Sequence, residues 1–317
     1  MQAVANTHAV PTLHPDERHE PALNTEPKPL TVAVTGAAGM LGADVLKALT
    51  QASLTPIALP RDLCDVTDAD ACRTALAAHR PHVVINCAAY TAVDKAESDE
   101  ETASAVNAHG ARNVALACAE IGAHLIHVST DYVFSGTKEL PYETTDPVAP
   151  RNAYGRTKLA GEEAVRDALP TSQWAIVRTS WLYGAAGPNF VKTMLRLAGE
   201  NRDLRVVHDQ TGAPTYTADL AQALVAMAQA RTAGVIHATA SGACTWYEFA
   251  QEIFAQSGRH PASLAPCNTD EYPTPAARPA NSRLSPDSLT RRGLPLLPHW
   301  KDGLTRYLRE TGEVATP

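Results

Sequence analysis

The chain is short of the features that mark whole classes of protein. No stretch approaches the roughly 18 consecutive apolar residues of a membrane span, which argues against a transmembrane protein. The first residues lack the basic-then-apolar order of a signal peptide. Long runs of lysine or arginine are missing, and 27 basic against 34 acidic residues leave a formal net charge of −7. Neither nucleic acid nor an anionic membrane is therefore an expected partner. Cysteine is sparse: Cys64, Cys72, Cys87, Cys118, Cys244 and Cys267 are scattered, with no C-x-x-C metal pair and no dense disulfide framework. Reduced thiols and a cytoplasmic location are the expectation. No internal repeat is visible, and no low-complexity tract follows residue 29.

What is present suits a larger design. At 317 residues and 44% hydrophobic content, the chain can bury the core of one large α/β domain and a smaller one. Residues 1–29 carry five prolines and three histidines without any helical or alternating apolar period. They predict a disordered leader, and the irregular spacing of His8, His14 and His19 reads as solvated polar residues rather than metal ligands.

From Thr31 the pattern changes. Short apolar runs, TVAVT at 31–35, HVVIN at 82–86, HLIHVS at 124–129 and WAIVRT at 174–179, have the character of strands buried on both faces. The alanine- and leucine-rich stretches 43–52, 68–79, 101–121 and 153–168 have the length of crossover helices. The sum predicts a Rossmann-type, doubly wound parallel sheet over residues 30–181. Beyond Leu182 the apolar runs become less regular and proline returns, notably at 271–286. Residues 182–317 are expected to form mainly a smaller α/β substrate domain, with some segments returning to the sheet.

The first strand runs directly into Gly36-Ala37-Ala38-Gly39-Met40-Leu41-Gly42 and a helical segment. A strand that turns into a helix, with the helix N–H groups aimed at a pyrophosphate, needs glycine where a Cβ would hold the backbone away. The G-x-x-G-x-x-G spacing departs from G-x-G-x-x-G, but its place after the first strand is the context that fingerprint requires. Dinucleotide binding is the reading. Near the end of the second strand an NAD site places a carboxylate, whereas here Pro60-Arg61 stands, with Asp62 adjacent. An arginine there pairs with the 2′-phosphate of NADP, so NADPH is preferred, with NADH left open. Asp65 lies where a turn faces the adenine.

Two further strand ends carry chemistry. One reads Asn86-Cys87-Ala88-Ala89-Tyr90, small residues beside the cofactor's middle, and the next Ser129-Thr130-Asp131-Tyr132. Tyr154 and Lys158 follow at i, i+4 on a predicted helix, hence on one face. A phenol, with an ordinary pKa of about 10, serves as an acid near neutrality when an ammonium stabilises its phenolate. Carbonyl reduction needs a hydride, a proton and a hydroxyl that holds the oxygen. Tyr154 and Thr130 answer the last two needs, and Lys158 supplies the charge.

With these motifs in order, the chain resembles the extended short-chain dehydrogenase/reductases and, within them, the dTDP-4-dehydrorhamnose reductase family. The stretches that carry the resemblance are AAYTAVDKAESD at 88–99, STDYVFSGT at 129–137, NAYGRTKLAGE at 152–162, RTSWLYG at 178–184, HDQTGAPT at 208–215 and RPANSRL at 278–284. It implies an NAD(P)H-dependent oxidoreductase that reduces the 4-keto group of a dTDP-linked 6-deoxy sugar. Tyr154 would be the proton donor, Lys158 its partner, and Thr130 the hydroxyl that orients the carbonyl. Gly36, Gly39, Met40, Leu41 and Gly42 fall at the pyrophosphate, and Asp65 and Val66 at the adenosine. Ala88, Ala89, Tyr90, Thr91 and Val128 fall beside the ribose and nicotinamide. Asp131, Tyr132 and Trp181 join Thr130 on the sugar side. Related 4,6-dehydratases carry Asp-Glu after Ser-Thr; Asp131-Tyr132 stands here, which disfavours dehydration. A binding-only subunit of the same fold and a sugar-nucleotide epimerase of the superfamily remain as alternatives. Some relatives dimerise through Mg2+, so a homodimer is open; Asp44 and Glu200 are in position, but no metal site is assigned.

Overall fold

The apolar runs assemble into one sheet because each is buried from both sides. The computed structural model describes residues 30–314 together with positions 2, 3 and 5; the disordered-leader reading of residues 6–29 lies outside the described residues. In chain order the first half comprises β1 (Thr31–Thr35), α1 (Met40–Gln51), β2 (Thr55–Leu59), α2 (Ala69–His79), β3 (Val83–Asn86), α3 (Val93–Ala96), α4 (Glu100–Ser104), α5 (Gly110–Ile121), β4 (His124–Thr130), α6 (Ala153–Ala168) and β5 (Trp174–Thr179). The second half adds β6 (Leu182–Tyr183), α7 (Phe190–Gly199), β7 (Asp203–Val207), β8 (Thr211–Gly212), β9 (Thr215–Tyr216), α8 (Thr217–Ala230) and β10 (Gly234–His237). It closes with β11 (Ala240–Ser241), β12 (Cys244–Thr245), α9 (Trp246–Ser257), β13 (Ser263–Cys267), α10 (Asp287–Thr290), β14 (Leu297–His299) and α11 (Trp300–Thr311).

The main sheet has the order β10-β5-β4-β3-β1-β2, and all of its pairings are parallel. The chain steps outward from β1 to β2, then returns to place β3 on the other side of β1. That reversal opens a crevice beyond the carboxyl ends of β1 and β3, where ligands bind in sheets of this kind. Thr35 Oγ1 donates to Asn86 Oδ1 at 2.7 Å across the crevice floor, and the same oxygen accepts from Ala88 N.

Alternation along β1 feeds two cores. Val32 and Val34 pack with α1 and α8 on one face, and Ala33 with α2 and α5 on the other. Each fully buried valine or leucine contributes about 1.5–3 kcal/mol, so these two layers dominate the stability of the sheet. A third core joins α7, α9 and α11 through Tyr183, Phe249, Tyr307 and their neighbours. Two segments from beyond Leu182 take part in the main sheet: β10 pairs with β5, and α8 covers α1.

One element departs from expectation. The stretch 101–121, read as a single helix, is broken into α4, a π-helical turn at Ala105–His109, and α5. The widened turn carries Asn107, which accepts from Tyr90 N at 2.9 Å and donates to Tyr90 O and Thr157 Oγ1 at 3.1 Å each. A π turn inserted in a helix often marks such a functional side chain.

Candidate active site

The glycine turn is shaped by close approach. Gly36 sits at φ +64°, and a Cβ there would lie 2.7 Å from Ala88 N, inside the neighbouring strand end. Gly39 caps α1 without any side-chain hydrogen bond, and the first turn holds no acidic residue. The first N–H groups of α1 thus face outward with no side-chain acceptor, at the positive end of the helix dipole. The fit to a pyrophosphate rests on that cradle.

Two cavities meet along the carboxyl edge of the sheet. The first, about 650 Å³, runs from Gly36 and Gly39 past Arg61, Asp65 and Val66 to Ala88 and Tyr90. The second, about 440 Å³, extends from Met40, Leu41 and Gly42 past Thr91 and Val128 to Thr130, Asp131, Tyr132, Tyr154, Lys158 and Trp181. Gly39, Cys87 and Ala89 line both, so the two form one cleft. The structure brings every site residue named from the sequence to this cleft.

At the outer end, Arg61 Nε donates to Asp65 Oδ2 at 3.0 Å while the arginine side chain remains 83% exposed. The other Asp65 oxygen accepts from Thr67 N and Thr67 Oγ1. Those bonds, with Arg61 behind them, hold the carboxyl below its ordinary range. The arginine and the carboxylate expected to contact different parts of the cofactor are therefore joined to one another.

At the inner end, Asn152 caps α6 by accepting from Gly155 N at 2.8 Å, which sets Tyr154 in the first turn. Gly155 allows this helix to press against the Tyr132 backbone, where a Cβ would collide. Burial pushes the Tyr154 phenol up to about 12, against the lowering effect of the adjacent Thr130 hydroxyl. Burial likewise pushes the Lys158 ammonium down to about 8, although Glu162 one turn away favours its charge. Lys158 Nζ donates to Val128 O at 2.6 Å. The lysine was expected to hold down the phenol's pKa, but here its charge is directed at the β4 carbonyl instead. Tyr132 stands edge-on to Tyr154, with ring centroids 5.6 Å apart.

Several lining residues were not singled out from sequence. Trp246 packs its ring on Trp181, Ser180 lies beneath, and Thr67 closes the outer turn. Only the Thr245-x-x-Glu248 capping box that starts α9 at Trp246 was legible locally; which ring it would meet was not.

Among the described residues no group of three or more His, Cys, Asp or Glu side chains gathers as a metal site. Asp44 is buried and accepts from Thr217 Oγ1 at 2.6 Å, and Glu200 pairs with Arg196 at 2.6 Å. Nor is any helix of the described residues long and apolar enough to cross a membrane.

Comparison with known proteins agrees with this geometry. The family model for the RmlD substrate binding domain matches residues 30–312. A dTDP-4-dehydrorhamnose reductase of Streptomyces griseus is 47% identical over 277 residues, covering 86% of this chain and 91% of the relative. A dTDP-4-keto-6-deoxy-D-glucose reductase of Streptomyces niveus is 42% identical, covering 86% and 94%. Among solved structures, a dTDP-4-dehydrorhamnose reductase of Bacillus anthracis in complex with NADP superposes with a TM-score of 0.86. It has 40% identity and covers 89% of this chain and 100% of that one.

Fold and comparisons define the class, an oxidoreductase of the extended short-chain dehydrogenase/reductase type. Within that class the chain belongs to the RmlD substrate binding domain family, as the resemblance in its motifs implied.

Proposed function

We propose that the protein reduces the 4-keto group of a dTDP-linked 6-deoxy sugar, converting dTDP-4-dehydro-L-rhamnose to dTDP-L-rhamnose with NADPH. The observation that carries this reading is the convergence of Thr130, Tyr154 and Lys158 at the inner end of a cleft whose outer end is a glycine-built anion seat. The names of the S. griseus and S. niveus relatives support the substrate class, and the NADP bound to the B. anthracis protein supports the cofactor. Arg61 beside the adenosine end favours NADPH over NADH.

When bound, the reduced dinucleotide supplies the hydride. Gly36, Gly39 and the first turn of α1 would seat its pyrophosphate; Arg61, Asp65 and Val66 would take the adenosine; Ala88 to Thr91, Val128 and Lys158 would line the remainder. Thr130 and Tyr154 hold the sugar carbonyl oxygen between two hydroxyls. As that oxygen gains charge, Tyr154 gives it the phenolic proton; Lys158, its ammonium held by Val128 O, contributes positive charge one helical turn from the phenolate left behind. Trp181, Asp131 and Tyr132 shape the sugar side and limit water.

Residues 30–181 serve on this reading as the dinucleotide unit and 182–317 mainly as the substrate unit, supported by the separate core around Tyr183 and Phe249. Six free thiols are in keeping with a reducing cytoplasm. Mixing the purified protein with NADPH and the keto-sugar nucleotide tests the reading. Stoichiometric loss of NADPH absorbance with a 4-hydroxy product by NMR is expected. Cofactor binding without oxidation would instead identify a binding-only subunit. Sedimentation velocity on the same preparation tests the homodimer.

A further inference from the structure

The reaction proposed above asks Thr130 to donate a hydrogen bond, yet a threonine hydroxyl carries one hydrogen. Thr130 Oγ1 lies 2.9 Å from Asp131 Oδ1 and already accepts from Tyr132 N at 3.2 Å. The Tyr154 phenol is a further neighbour, near enough for the Thr130 hydroxyl to lower its pKa, and both line the inner cavity. Tyr154, Thr130 and Asp131 thus form a row of groups on the wall of the inner cavity. Asp131 is 2% exposed, and its Oδ2 has no hydrogen-bond partner among the described residues.

An ionised carboxylate can only accept, whereas a protonated one also donates. With Asp131 ionised, Thr130 gives its hydrogen to the carboxylate and offers only lone pairs to its other neighbours. Those lone pairs draw the Tyr154 proton away from the cavity. With Asp131 protonated, the acid O–H donates to Thr130, and the threonine hydrogen is released toward the cavity. No atom needs to move far for this reversal; one proton decides it.

We propose that Asp131 is a positioning residue whose protonation state sets the direction of the Thr130 hydroxyl and thereby switches the site between competent and incompetent for carbonyl reduction; this rests on the reductase reading.

The surroundings favour a proton that moves near neutrality. Facing Asp131 are the Thr130 hydroxyl and Tyr132 backbone of its own segment, the Ser282 hydroxyl from the 281–285 segment, and the phenols of Tyr132 and Tyr154. The nearby charges are otherwise engaged: Lys158 donates to Val128 O, and Arg278 pairs with Asp94 at 2.7 Å. Burial therefore prevails over the hydrogen bonds and pushes the carboxyl up to about 7.

The test is kcat/KM against pH, with NADPH and the keto-sugar nucleotide, for wild type and Asp131→Asn. Wild type should be most active below about 7 and lose activity as the pH rises through that value. The side-chain amide that Asp131→Asn introduces donates to Thr130 permanently, as the protonated acid does. The variant should therefore retain the low-pH rate to within about tenfold, the worth of one ordinary hydrogen bond, and lose the fall at about 7, leaving only the later fall near 8 that deprotonation of Lys158 brings. A fall at about 7 that persists in Asp131→Asn overturns the proposal. So does a variant that folds and binds NADPH yet is inactive at every pH, since the carboxyl would then act directly. Should the variant not fold, the carboxylic C=O infrared band of the wild type decides. Loss of a band as pH rises through about 7, shifted in Thr130→Val, supports the switch; a carboxyl ionised throughout overturns it. Failure of the reductase reading is distinct: wild type would oxidise no NADPH at any pH, while the infrared titration would still report the carboxyl.

Discussion

Trp181 and Trp246 lie face to face, their ring centroids 3.6 Å apart and their planes 6° from parallel. Trp181 holds a left-handed backbone at φ +49°, a conformation that costs an ordinary residue energy and persists where its surroundings fix it. Trp246, braced in turn by Phe190 at 4.7 Å, supplies one such restraint on the ring proposed to face the sugar. An aromatic pair is worth about 0.5–1.5 kcal/mol beyond its buried area, so Trp246→Ala should raise KM for the sugar nucleotide by up to about tenfold. Dinucleotide affinity should not change. Steady-state kinetics with each substrate varied checks this, and a matching loss in cofactor affinity would point to a general disturbance instead.

Tyr154→Phe keeps the ring and its contact with Tyr132 but removes the hydroxyl proposed as the proton donor. We expect kcat to fall by about 10²–10⁴-fold with little change in cofactor binding, the range that general acid catalysis supplies. Single-turnover NADPH oxidation beside a fluorescence titration separates the two quantities. Near-normal turnover would assign the proton to another group.

Arg61→Ala should raise KM for NADPH and leave that for NADH nearly unchanged. The Arg61–Asp65 pair is largely exposed, and exposed pairs contribute about 0–1 kcal/mol, so the melting temperature should hardly move. Equal effects on both cofactors would detach Arg61 from the 2′-phosphate.

Glu162 presents the opposite case. It is fully buried and accepts from Ser129 Oγ at 2.6 Å, from Arg178 Nε and Nη2 at 2.8 and 2.7 Å, and from Arg166 Nη2 at 2.9 Å. Glu162→Ala strands the buried Arg178 guanidinium and should cost about 3–5 kcal/mol in denaturant unfolding. The arginines hold the folded carboxyl below its ordinary 4.5. Its stabilisation is therefore fully present above about 4.5 and disappears as the pH falls through the lower folded value. Stability measured down through that acid window should decline more steeply in wild type than in the variant.

Local pattern carried much of the fold. The segments 153–168 and 174–179 coincide with α6 and β5, because a continuous amphipathic stretch and an unbroken apolar run each leave one outcome. The broken helix at 101–121 was illegible because the π turn is imposed from outside, by the Tyr90 backbone and Thr157 that hold Asn107. The strands β6, β8, β9, β11 and β12 have two residues each, too few to show any period. In the cleft, glycines, hydroxyls and the Tyr154–Lys158 spacing were visible as motifs. Trp246 was not, and Ser282 stood within RPANSRL without any role, since packing alone brings the two to Trp181 and Asp131 from far along the chain.

The return of α8 and β10 to the main sheet has a consequence for synthesis. A nascent chain that has emerged only as far as Thr179 holds five of the six strands, with β5 as an open edge. The surface of α1 that α8 will cover is bare as well, with Val45, Ala48 and Leu49 lacking their later neighbours. Unpaired edges and exposed apolar faces are what chaperones bind and what aggregates. Everything from Ser180 to His237 must be translated before the sheet is sealed, so chains that stall in this interval depend on such help, and truncation after β5 should yield insoluble protein.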